Sequence, residues 1–393
     1  MSLLSVAEAQ ARLFAAAPRV AVETCALGAA AGRWLAAPLI ARRDQPSADL
    51  SAMDGYALRF AELPGPLRVI GESAAGRPFA DSIGAGEAVR IFTGAMVPTG
   101  ADTILVQEEA AREGAQLRLA GEGPGALGRH IRRRGQDFAL GAELLPAGAR
   151  LTPAAIGLAA AAGHGALAVH RRVRVAIAAT GDELVPPGAP ANDGQLPEAN
   201  GAMLAALIAD LPADVTPLGI LPDRLEALTA AFAATEADIL VTIGGASVGD
   251  HDLVRPALEA AGGTIDFWRI AMRPGKPLLA GRLGDAVVLG LPGNPVSAFV
   301  TASLFLRPLV AAMAGAGDPL PRRRRVTLAA PLPANDARED YLRGWWQDGG
   351  VVAASRQDSA MLATLARATC LIVRPPHAPA AKPGDSVEIL DLA

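Results

Sequence analysis

From Arg172 onward the chain alternates between two kinds of segment, and this limits its fold more than any other feature. The apolar runs VRVAIAA, DVTPLGIL, DILVTI, TIDFWRI and DAVVLGL read as buried strands. Between them Ala202–Asp210, Arg224–Thr235 and Leu253–Ala261 carry helical patterning, with Asn200 placed to cap the first, and a further helix is expected from Pro295 to Ala314. Strands alternating with helices predict a largely parallel sheet covered on both faces.

The rest of the sequence has a different texture. Residues up to about Arg43 are helical in pattern, with breaks at Gly28 and Gly32. From Asp44 to about Gly128, short runs such as LRVI, EAVRIF and DTILVQEE are punctuated by Gly and Pro, the look of short strands and tight turns. Residues 129–171 pass from a charged, Gly-containing stretch into an Ala-rich helix after Pro153. After Arg322 the runs RVTLAA, VVAAS, CLIVR and SVEILDL predict a small β-domain. At 393 residues the chain exceeds one ordinary core. The expected fold is multidomain α/β with four parts: residues 1–43 with 129–171 as a helical and linker domain, 44–128 as a β-rich insert, 172–321 as the α/β domain, and 322–393 as the C-terminal β-domain.

Composition excludes several classes. With 51% hydrophobic and 19% charged residues, long disorder is not expected. A net charge of -4 argues against a general nucleic-acid binder, which needs a basic face. Cys25 and Cys370 form neither a disulfide framework nor a CxxC pair. The opening MSLLSVAEAQARLF reads as an amphipathic helix, not a signal peptide. The apolar stretches Ala154–Val169 and Ala298–Gly315 contain His164, and Arg307 with Pro308, so no membrane span is expected and the cytoplasm is the default. There is no HExxH spacing, Walker-type phosphate loop or dinucleotide-binding glycine signature.

In an open parallel sheet, ligands bind beyond the carboxyl ends of the strands. Five segments are expected there: Thr180-Gly181-Asp182-Glu183; Pro222-Asp223; Gly244 to Asp252; Arg273-Pro274-Gly275-Lys276-Pro277; and Pro292-Gly293-Asn294-Pro295 with Val296-Ser297. Gly244, Gly245 and Gly249 let backbone N–H groups approach a ligand. Pro295 would open a helix, whose start favours an anion. Lys276 and Arg273 can hold phosphate or another oxyanion. Asp182, Glu183, Asp223 and Asp252 offer hard oxygen ligands suited to Mg²⁺. Any one of these loops alone would more often be a turn with exposed charges. Arg132-Arg133-Arg134 and Arg322–Arg325 read as solvated linker faces, and His251 as a bystander. Taken together, the loops point to nucleotide or pyrophosphate chemistry.

The same residues resemble a known family. Ser51-Ala52-Met53-Asp54-Gly55-Tyr56-Ala57, Arg90-Ile91-Phe92-Thr93-Gly94-Ala95, Arg132-Arg133-Arg134-Gly135-Gln136-Asp137, Thr180-Gly181-Asp182-Glu183-Leu184, Gly244-Gly245-Ala246-Ser247-Val248-Gly249, Pro274-Gly275-Lys276-Pro277 and Leu291 to Ser297 follow in one order. This set resembles the molybdopterin molybdenumtransferases, the MoeA family, which is shared with the E domain of gephyrin. The sequence departs from the family pattern at Arg273, where lysine is common, at Pro197-Glu198-Ala199-Asn200, which replaces an Asp-Ser/Thr-Asn stretch, and at Ala246, in place of valine.

The resemblance implies an elongated homodimer whose parallel sheet is a molybdopterin-binding domain, with the β-rich segment of one subunit facing the sheet of the other. Asp54 and Thr93 would thereby become functional. The implied reaction takes adenylylated molybdopterin and molybdate, cleaves the pyrophosphate with Mg²⁺ and releases AMP. By resemblance Ser247, Lys276, Arg343 and Ser359 would surround the oxyanion, Asp182, Glu183, Asp223 and Asp252 would hold metal or orient water, and Asn294 and Pro295 would shape the pterin-side loop. Contact with the molybdopterin adenylyltransferase is a further expectation. Two rival readings remain: an enzyme that adenylylates molybdopterin, and a non-catalytic dimeric scaffold of the same fold.

Overall fold

The structure is a computed structural model and describes residues 3–244 and 253–392. Its centre is a six-stranded sheet in the order Ala213–Leu221, Val173–Thr180, Ile239–Ile243, Ala286–Leu291, Pro277–Leu283, Thr264–Arg269. Ile239–Ile243 and Ala286–Leu291 are buried along their whole length, and Val173–Thr180 is buried except at Arg174. Such continuous apolar runs belong to strands covered on both faces. Val175 and Ile177 enter one core with Val241, Leu289 and Phe305, whereas Ala176 and Ala178 enter a second with Leu228, Phe232 and Leu258. The period of two along the strand thus assigns alternate side chains to opposite layers.

The sheet is largely parallel, as expected, with one strand reversed. Pro277–Leu283 is an added strand, antiparallel to both Thr264–Arg269 and Ala286–Leu291. It turns back at Gly284-Asp285, with Gly284 at φ +57°, a compact glycine hairpin. The three remaining neighbouring pairs run parallel. Thr180, Leu221, Ile243, Arg269 and Leu291 therefore end at one edge, where Pro277 begins, and the expected loop-bearing rim exists.

Helices Asn200–Leu207, Leu225–Ala233 and Val254–Ala260 cover the sheet. Ala199, not Asn200, occupies the cap position of the first, because Asn200 already lies within the helix and its side chain reaches elsewhere. Pro295–Met313 is one helix with a π segment at Ala302–Leu306. It is long and apolar enough to cross a membrane, but 78% of its most apolar window is buried in the core.

The first helix, Val6–Ala16, is fixed by a capping box: Glu8 N–H donates to Ser5 Oγ at 3.2 Å and Ser5 N–H to Glu8 Oε2 at 2.9 Å. Val6, Ala9 and Leu13 join the core that contains Leu304 and Phe305, and Gln10 donates to the Leu304 carbonyl at 2.7 Å. The helical pattern expected up to Arg43 does not continue. Pro18 follows the helix end, and Val22–Ala26 pairs with Ala166–His170 as an antiparallel ladder. Leu39–Ile40 pairs with Glu143–Leu145 in the same way.

A second six-stranded sheet is built from residues between Gly55 and Leu119. A third contains Glu339–Gln347, Cys370–Arg374, Ser386–Asp391 and Arg324–Thr327, with an additional helix at Leu362–Arg367. Met272–Arg273, from the loop after Thr264–Arg269, pairs with Glu339 and Asp340 and extends that third sheet.

Candidate active site

A cavity of about 590 Å³ opens at the carboxyl edge of the central sheet. Its wall includes Thr180, Glu183, Glu198, Asn200, Gly244 and Gly293, with Asn294, Pro295, Ala360 and Leu362. Gly244, at φ +92°, packs so tightly that a Cβ there would lie 2.8 Å from the Thr180 carbonyl oxygen. Its N–H donates to the Leu291 carbonyl at 3.1 Å, joining the third and fifth expected loops. Asn200 Nδ2 donates to the Gly293 carbonyl at 2.7 Å and ties the Pro292-Gly293-Asn294 turn to the neighbouring helix.

The carboxylates gather beside this wall. Asp223 N–H donates to Asp182 Oδ1 at 3.2 Å, bringing the first two loops together. Its own burial, then the charges of Asp182 and Glu183, push the Asp223 carboxyl above its ordinary value. Among the described residues, no set of three His, Cys, Asp or Glu side chains is assembled to hold a metal ion. Gly245, Ser247, Gly249 and Asp252 lie outside the described residues.

The Arg273 to Pro277 loop divides its charges. Lys276 is exposed, and its carbonyl accepts from Ile270 N–H at 2.8 Å. Pro274 is half-buried, and Gly275 is buried at φ +100° against Thr301. Arg273, expected as an anion holder, is instead taken by the C-terminal sheet. Its guanidinium donates to Asp340 and, at 3.3 Å, to Asp336. The strand pairing of Met272–Arg273 carries the side chain there, so its charge is already matched.

Arg343 also differs from expectation. It is 1% exposed, and its guanidinium donates to Gln357 Oε1 at 3.1 Å and the Asp358 carbonyl at 2.9 Å. Its contribution is to shape the Ala354–Met361 loop. That loop reaches the rim through Ser359, whose carbonyl accepts from Val296 N–H at 3.0 Å in the first turn of the Pro295 helix. Pro295 opens that helix as expected, but Asn294 makes no side-chain cap bond.

Asp54 and Thr93 meet in the second sheet's loops, where Thr93 N–H and Oγ1 both donate to Asp54 Oδ1 at 2.7 Å. These two bonds hold the Asp54 carboxyl below its ordinary value. Among the described residues, no hydrogen bond or ion pair joins residues 44–128 to residues 172–392. Sequence reasoning placed Thr180 in the first rim loop, but it missed Glu198 as a wall residue and gave Asn200 only a capping role. Glu198 and Asn200 lie outside the five strand-end loops, so the rim rule did not reach them.

Similarity to known proteins agrees with this layout. Residues 4–163 match the MoeA N-terminal region, domains I and II, and residues 325–392 the MoeA C-terminal region, domain IV. Residues 176–312 match a probable molybdopterin binding domain, so most of the cavity wall belongs to a unit of that class, with Ala360 and Leu362 added from the C-terminal region. The molybdopterin molybdenumtransferase of Haemophilus influenzae is 35% identical, covering 88% of this chain and 87% of its own. Molybdopterin molybdenumtransferase 2 of Mycobacterium tuberculosis is 36% identical over 94% of this chain and 95% of its own. The crystal structure of the molybdopterin biosynthesis MoeA protein from Pyrococcus horikoshii OT3 superposes with a TM-score of 0.85 at 25% identity, covering 99% of this chain and 100% of that one. The chain belongs to the molybdopterin molybdenumtransferase family, MoeA. It is a transferase of molybdenum cofactor biosynthesis.

Proposed function

We propose that the chain takes adenylylated molybdopterin and molybdate, cleaves the phosphoanhydride with water to release AMP, and places molybdenum on the dithiolene. The observation that supports this reading is the shared carboxyl edge of the sheet, from which the 590 Å³ cavity lined by Glu183, the Asp182–Asp223 contact and the loop bearing Lys276 all arise. The substrate's pterin would lie in the cavity against Gly293 and Asn294. Lys276 would hold the molybdate or phosphate oxygens, with Ser247 and the Gly244-Gly245 and Gly249 backbone beside it. Gly275, Pro277 and Pro292 keep these loops in shape.

Mg²⁺, when bound, would neutralise the pyrophosphate and polarise the bond to be broken. Asp182, Glu183 and Asp223, with Asp252, supply the hard oxygens it prefers. Burial first, and then the charges of Asp182 and Glu183, raise the Asp223 carboxyl, and a cation would relieve the repulsion among the three.

The chain is proposed to act as a homodimer in the cytoplasm. The Asp54–Thr93 pair, tied together by two hydrogen bonds of 2.7 Å, would serve the cavity of a second copy. Cys25 and Cys370 are free thiols, as suits a reducing compartment. Direct hand-over from a molybdopterin adenylyltransferase would keep the anhydride away from bulk water. The deciding experiment incubates purified protein with adenylylated molybdopterin, molybdate and Mg²⁺. AMP release with transfer of active cofactor to a molybdenum-free apoenzyme is expected. Absence of AMP overturns the proposal, and ATP-dependent adenylylation of molybdopterin would favour the rival adenylyltransferase.

A further inference from the structure

Glu198 stands in the walls of two adjoining cavities. Beside the candidate active-site cavity is a second, of about 570 Å³, lined by residues such as Ile177, Pro187, Ala202, Val215 and Pro217, and the two share Ala179 and Glu198. The half-buried Glu198 is held from both ends. Its N–H donates to the Val185 carbonyl at 2.8 Å, and its Oε1 accepts from Gly201 N–H at 2.8 Å at the start of the Asn200–Leu207 helix. Oε2 has no donor among the described residues. Its neighbour Asn200 has committed its amide donor to Gly293. A fixed carboxylate with unused acceptor capacity therefore faces the space proposed for substrate.

We infer that Glu198 reads the pterin ring of the substrate, accepting from the 2-amino group and the adjacent ring N3–H. This rests on the proposed substrate being a pterin. A pterin presents those two donors side by side, and an ionised carboxylate is acceptor-only, with about four lone-pair sites on its two oxygens. The match is of the kind a carboxylate makes with a guanidinium fork. The corresponding edge of adenine places an acceptor beside its amino group and would set lone pair against lone pair. Glu198 thus gives the cavity a preference for the pterin end of a molecule that carries two nitrogen heterocycles.

The test uses full-length protein and three probes: 6-hydroxymethylpterin, its 2-oxo lumazine counterpart, and AMP. The wild-type chain is expected to bind the pterin roughly 10- to 100-fold more tightly than the lumazine, the worth of a hydrogen bond to a charged group. Glu198→Gln keeps an oxygen for Gly201 N–H, and so the helix start, but it should bind the two pteridines equally and leave AMP affinity unchanged. An unchanged melting temperature would show that the fold is intact. Persistence of the pterin preference in Glu198→Gln overturns the inference, as does loss of AMP affinity in place of pterin affinity. Failure of the wild-type chain to bind the pterin at all refutes the substrate reading itself.

Discussion

Thr93 places two donors on a single oxygen of Asp54, its N–H and its hydroxyl each 2.7 Å from Oδ1. The Asp54 carbonyl accepts from Gln107 N–H at 3.0 Å, so two loops position this carboxylate. In the proposed dimer this half-buried carboxylate would serve the cavity of the second copy. Asp54→Asn keeps the acceptor for Thr93 and removes the charge. It is expected to lower AMP release by on the order of 10²-fold with the fold intact, as for a lost charge-stabilising group. Mixing Asp54→Asn with Lys276→Ala subunits should restore about one quarter of wild-type activity. Half of the random dimers would then carry one unaltered composite site. No recovery on mixing places both residues in the same subunit's site.

Lys276→Ala is expected to reduce turnover by on the order of 10²-fold, because the charge proposed to hold the anion is removed. Its exposed side chain makes the effect on the urea midpoint negligible. A near-wild-type rate removes Lys276 from the chemistry.

Arg273→Ala should do the opposite. Asp340, whose side chain is 5% exposed, would lose its ion-pair partner, and the urea midpoint should fall clearly below wild type. AMP release by the folded fraction should stay close to the wild-type rate. A large fall in turnover without loss of stability would return Arg273 to the oxyanion site.

Asp238 links acid stability to the far edge of the central sheet. Burial pushes its carboxyl up, but hydrogen bonds from Arg171 and Arg174 outweigh that and hold it at about 2, against an ordinary value of 3.8. A depressed value stabilises the ionised folded state, by about 2 kcal/mol. That contribution is complete above about pH 5 and is lost as the pH falls through 3.8 toward 2. The urea midpoint of Asp238→Asn should therefore lie below wild type at pH 7 and approach it near pH 2.5. An equal gap at both pH values refutes the assignment.

The rim was legible because its strands are unbroken apolar runs that end at charged, glycine-rich turns. Ile239–Ile243 followed by Gly244 shows both halves of that signal. Pro277–Leu283 was not legible, since it begins on the proline of a ligand-loop motif and its antiparallel direction is set by the Gly284-Asp285 turn. Tertiary pairing also decided the fate of two arginines. Nothing local distinguishes Arg273 as an anion holder from Arg273 as a partner of Asp340, or marks Arg343 as fully buried. Val22–Ala26 reads as strand only when Ala166–His170 is known to lie beside it. Asp54 and Thr93 were found through resemblance, and their shared hydrogen bonds give that pairing a physical form.

The opening helix seals the core that Leu304 and Phe305 help to form, although Gln10 and Leu304 are 294 residues apart in sequence. The ligand-bearing unit is therefore not a cassette that can be excised at its own strand boundaries. Cut free at residue 172, it would keep its loops but bare an oily trough where Val6, Ala9 and Leu13 had lain, and transplantation into another scaffold would have to carry that distant lid along.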